Sequence, residues 1–158
     1  MTEPGITLLG SLRLASTLLR ILLGLLLVTS GSTWLFRSDP TGHLATALAA
    51  AADRGATFDL YDIFLEAVVR PQVGLFARLV GLGELASGLS LLFGAATRLG
   101  AGVISFQFLN YGMLNGISSM VPHGILIALV VAPIVLGSAR AHGLDRWLHR
   151  RFPGAPFF

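Results

Sequence analysis

The sequence predicts an all-α integral membrane protein: an antiparallel four-helix transmembrane bundle with short interfacial helices in its first, outer loop. Three observations carry that expectation. Of the 158 residues, 54% are hydrophobic and only 12% charged, with mean hydropathy +0.77; a soluble domain of this length carries about twice that charged fraction. Four apolar stretches are close to the about 20 residues that cross a bilayer. The basic residues are all arginine and lie beside those stretches rather than on a soluble face, so they read as topology signals and not as a nucleic-acid surface. The length suits a single membrane domain over residues 1–158.

The first span is Leu14 to Phe36, LASTLLRILLGLLLVTSGSTWLF, interrupted only by Arg20. Arg13 and Arg20 ahead of an apolar run also suit a signal peptide. The run continues through Trp34 to Phe36 without a small-residue cleavage pattern, however, so a retained span is expected. Leu75 to Ala96 is the second span, carrying Arg78 and Glu84. Leu99 to Val121 is the third and has no charge, and His123 to Ala139 is a shorter fourth. Thr97 and Arg98 alone separate the second and third, which implies a tight hairpin.

Orientation follows from arginine asymmetry. Arg13, Arg20, Arg98, Arg140, Arg146, Arg150 and Arg151 share one side with few acids, so both termini are expected in the cytoplasm. The other side has Arg37, Arg54 and Arg70 of the outer loop, residues 37–74, and Arg78 early in the second span, together with most of the acids. Within it, GHLATALAAAADR is helix-prone, with Asp39 or Thr41 placed to cap it. Phe58, Tyr61, Phe64, Leu65 and Val68 recur at three- and four-residue steps, an apolar helical face suited to the membrane surface. Pro71 is expected to end that helix. The tail, residues 140–158, contains RAHGLDRWLHRR and reads as an anchor on an anionic leaflet.

Glu84 is the residue that most needs explaining, because a charged group in a span costs about 2.5–3.5 kcal/mol on insertion scales and usually has a partner. It lies roughly 13 Å into the second span at 1.5 Å per residue. Gly81 and Gly88 share its helical face and would let a neighbouring helix approach. Two roles fit. Glu84 and Arg20 form a buried structural ion pair, or Glu84 is a proton carrier or quinone contact. Gln107, Asn110, Tyr111 and Asn115 fall on one side of the third span at about the same depth, and make either interhelical hydrogen bonds or a quinone pocket. Gly112 and Gly116 form a small-residue packing step. His43, His123, His142 and His149 offer neither a paired haem site within the membrane nor zinc-type spacing, so no metal is expected. Without cysteine there is no thiol chemistry, and no glycine loop for phosphate is present.

The arginine opening GLLLVTSGSTWLF, followed by PQVGLFARLVGLGEL, GLSLLFG and then TRL, resembles the DoxX/DoxD family of small four-helix bacterial and archaeal membrane proteins. The matching positions are Arg20, Gly24, Gly31, Pro71, Gly74, Glu84, Gly88, Gly94, Thr97 and Arg98, and the likeness covers about Leu14 to Leu136. A lysine often found after the first span in that family is Arg37 here. One branch is a subunit of thiosulfate:quinone oxidoreductase, so the resemblance implies a quinone-linked redox setting in the cytoplasmic membrane. No residue here suits sulfur chemistry.

The expected function is therefore an accessory subunit of a respiratory or photosynthetic electron-transfer complex. It would contact lipid and other redox subunits, hold no intrinsic cofactor and shape a quinone pocket. The alternatives are the membrane part of a quinone-reducing oxidoreductase, with Glu84 carrying protons, and a small transporter.

Overall fold

A computed structural model describes residues 4–54, 58–137 and 143–153. The described residues form helices α1 (Pro4–Leu35), α2 (Pro40–Arg54), α3 (Asp59–Phe64), α4 (Val73–Phe93), α5 (Thr97–Leu114), α6 (Ile117–Val135) and α7 (Asp145–Arg151). Among these residues, three stretches are long and apolar enough to cross a membrane: Gly10–Leu35, Asp59–Phe93 and Ile117–Val135. α5 is not one of them, because Arg98, Gln107, Asn110 and Tyr111 dilute its apolar content.

Several boundaries differ from the sequence expectation. The third helix stops at Leu114 rather than Val121, because Gly116 adopts a left-handed φ of 89° that few other residues tolerate. α6 therefore starts six residues early, and Pro122 lies inside it. Pro71 does not end the outer helix either. A π turn (Leu65–Val69) and a 3-10 turn (Arg70–Gln72) carry the chain from α3 into α4 almost without interruption. The proline sits in the 3-10 turn, at a helix start where its missing N–H has no partner to lose.

The outer segment folds back onto the protein. Asp39 caps α2, its carboxylate accepting from the Gly42 N–H at 2.8 Å. Tyr61, Leu65 and Val69 pack with Leu44, Leu48 and Ala77. The π turn holds these at steps of four, so Val69 rather than Val68 continues the buried line. Of the expected apolar face, Phe58, Phe64 and Val68 remain exposed, while Tyr61 and Leu65 are buried.

α1 and α4 approach at backbone distance. A β-carbon on Gly24 would lie 2.7 Å from Leu92 N, and one on Gly88 would lie 2.6 Å from Val28 N. A second apolar cluster (Leu27, Leu91, Ala101, Ile104 and Val130) joins α1, α4, α5 and α6 at the end opposite α2 and α3. Glu84 lies on α4 between the two clusters.

Candidate functional site

Glu84 is the eleventh residue beyond Val73, roughly 16 Å along α4. It is 3% exposed. The Tyr111 hydroxyl donates to its Oε1 at 2.9 Å, and Gln107 Nε2 donates to the same oxygen at 3.2 Å. Gln107 Nε2 also lies 3.2 Å from Val80 O and 3.0 Å from the Tyr111 hydroxyl oxygen. These contacts tie α5 to α4 because residues 107 and 111 are one turn apart and meet the same carboxyl group. Oε2 is buried and has no hydrogen-bond partner among the described residues.

The structure does not place Arg20 beside Glu84. Arg20 is 1% exposed, and its guanidinium occupies the space against Gly94, where a β-carbon would collide with it. Gly94 is ten residues from Glu84, about 15 Å along the helix, which is beyond the reach of an arginine side chain. The charge acting on Arg20 is that of Asp145. The expected Arg20–Glu84 pair is thus replaced by two separate arrangements at different depths.

Asp145 is the residue that sequence reasoning missed. An acid within a basic tail, it is 1% exposed. Its carboxylate accepts from Ala96 N at 2.6 Å, Thr97 N at 3.1 Å and the Thr97 hydroxyl. These are free N–H groups at the start of α5, where a negative charge also meets the positive end of the helix dipole. Ala96 holds a left-handed φ of 52°, costly for a residue with a β-carbon, and the Asp145 contact fixes it. The backbone completes the joint: Asp145 N donates to Gly94 O at 2.6 Å, and Leu144 N donates to Phe93 O at 3.2 Å. A lone acid among arginines was the available signal.

The other expected site residues divide. Asn110 is held by its own helix, donating to Phe106 O at 2.8 Å, and accepts from the Tyr61 hydroxyl on its O and Oδ1. Asn115 does not join the cluster. It is exposed and bonds Tyr111 O at the frayed end of α5, because Gly116 turns the chain away there. Arg98, Arg146, Arg150 and Arg151 are exposed, as is Trp147 at 62%. Arg140 lies outside the described residues. Among the described residues no cluster of His, Asp and Glu has metal-binding geometry.

Beside Gln107 and Tyr111 lies a chamber of about 280 Å³. Leu44 and Leu48 of α2 line it on the outer-segment side, with Tyr61 and Phe64 of α3. Val80 and Gly83 of α4 and Phe106 of α5 form its sides. A dry apolar cavity of about 150 Å³ holds a benzene ring, so this one has room for a ring with several substituents. Its walls are apolar except where Gln107, Asn110, Tyr111 and Tyr61 converge, the composition of a small-molecule site.

Residues 15–114 match the family described as DoxX. The chain belongs to the DoxX family. That stretch contains every chamber wall and Arg20, Glu84 and Thr97; Asp145 lies beyond it. No curated protein and no solved structure matches the chain. As a DoxX-family chain with three membrane-length apolar stretches, it is a multi-pass membrane protein in contact with lipid.

Proposed function

We propose that this DoxX-family chain is an accessory subunit of a membrane electron-transfer complex and holds a quinone ring in the chamber beside α5. α1, α4, α5 and α6 are the spans of an antiparallel four-helix bundle in a bacterial or archaeal cytoplasmic membrane. Both termini face the cytoplasm, with α2 and α3 outside. The short α4–α5 and α5–α6 connections support that arrangement, as does the row of exposed apolar residues on α5, Leu99, Val103, Phe106 and Leu109. Lipid and neighbouring redox subunits cover those faces.

The observation that carries the reading is the chamber: apolar, large enough for a substituted ring, and ending on Gln107 and Tyr111 with Glu84 behind them. Extraction in mild detergent, followed by mass spectrometry of bound lipids and of co-purifying subunits, is the test. Stoichiometric quinone, in either redox form, and a redox partner are expected; quinone at the level of bulk lipid, with no partner, counts against it.

A second reading makes Glu84 a proton carrier during quinone reduction. It is favoured by Oε2, a buried carboxyl oxygen with no described donor, which has capacity for a proton. Glu84→Gln should then keep quinone binding while lowering turnover of the partner enzyme. Unchanged turnover removes the proton role.

A further inference from the structure

The polar end of the chamber is one-sided. Gln107 Nε2 faces Val80 O and Glu84 Oε1, both of which accept, so the amide nitrogen must occupy that side and the amide oxygen the other. With the Tyr111 oxygen as a third neighbour, the two hydrogens of Nε2 are engaged. Oε1 lies over Gly83, where a β-carbon would come within 2.8 Å of it, and both residues line the chamber. No described donor reaches Oε1. The Tyr111 hydroxyl gives its single hydrogen to Glu84, and Tyr61 gives its own to Asn110. Neither has a hydrogen left for a ligand.

We infer that the chamber selects a lipophilic ring bearing a hydroxyl, a hydroquinone or phenol, over the matching quinone or ether, the O–H donating to Gln107 Oε1. A ligand carbonyl placed there would set two acceptors face to face, each stripped of water and unpaired. A hydroxyl satisfies both. Sites built around a hydrogen-bonded hydroxyl discriminate strongly against analogues that cannot make the bond. Asn110 keeps one amide hydrogen beyond its bond to Phe106 O, but that donor serves the second oxygen of a quinone and of a hydroquinone alike and does not distinguish them. The selectivity rests on the reading of the chamber as a ring-binding site. It adds which redox form is held: the reduced one.

A redox-inert pair tests this. Binding of a dimethylphenol and of its methyl ether is measured by titration calorimetry on the full chain in nanodiscs, with protein-free nanodiscs subtracting partition into lipid. The phenol is expected to bind about tenfold more tightly, the worth of one hydrogen bond kept rather than lost. Gln107→Leu should bring the pair within about twofold of each other, by the same bond. Gly83→Ala, which crowds Oε1 without removing it, should narrow the gap. Equal binding of phenol and ether by the native chain overturns the selectivity and leaves the ring site standing. A phenol preference that survives in Gln107→Leu overturns the role of Gln107. Saturable binding of neither overturns the ring site and the selectivity together.

Discussion

Asp145→Ala should loosen the tail from the α4–α5 corner. The carboxylate receives two backbone N–H groups and a hydroxyl at the start of α5. Loss of a helix cap costs about 0.5–2 kcal/mol. Hydrogen bonds to a charged group are worth about 1.5–3 kcal/mol. The substitution also removes a negative charge acting on the Arg20 guanidinium, which is 1% exposed. Because these contributions overlap, the expected loss is about 3 kcal/mol, or about 6–12 °C in Tm on the scaling for domains of this size. Tryptophan fluorescence during heating of detergent-solubilised protein reads the stability. Limited trypsin digestion reads the tail, since Arg146, Arg150 and Arg151 are exposed on α7. Faster tail cleavage should accompany the lower Tm, with Asp145→Asn intermediate. A double-mutant cycle with Arg20→Met should show coupling above about 0.5 kcal/mol. Native-like Tm and native-like digestion in Asp145→Ala would refute the latch.

Gly88→Val should separate α1 from α4, since even a β-carbon would sit 2.6 Å from the backbone nitrogen of Val28, which has no way to yield; the cost is about 1–3 kcal/mol or more, visible as a lowered Tm. Tyr111→Phe removes the 2.9 Å donor to Glu84 and should cost about 1–3 kcal/mol in thermal unfolding. Asn115→Ala should change stability by no more than about 0.5 kcal/mol, because the residue is exposed and bonds only its own helix. A large effect there would place Asn115 back in the polar cluster.

Apolar content and arginine placement made the membrane helices legible, and the α4–α5 hairpin could be read from the absence of spacing between two spans. Glu84, Gln107 and Tyr111 were legible as one layer because their depths agree when counted along antiparallel helices. What failed were contacts between segments distant in sequence. Arg20 and Glu84 look like partners because they are opposite charges in apolar runs, yet side-chain reach and helix register put Arg20 at Gly94. Asp145 lies 48 residues from Thr97, and no local pattern announces that it caps α5. The outer-segment wall of the chamber escaped notice for the same reason. Six of its sixteen lining residues come from an outer segment whose aromatic face reads equally well as lipid-facing, and only tertiary packing turns Tyr61 and Leu65 inward. Gly116 misled in another way: a glycine in an apolar run resembles a packing step, whereas its left-handed φ ends a helix.

The most direct test of ring binding is photocross-linking of a hydroquinone analogue whose photoreactive group is on the ring, in native membranes, followed by peptide mapping. Labelling is expected at Tyr61 and across Phe106 to Tyr111, competed by unlabelled hydroquinone and reduced in Gln107→Leu. Labelling spread over the exposed leucines of α1 and α6, with none competed at Tyr61 or Tyr111, would show that the ring dissolves in lipid and does not enter the chamber.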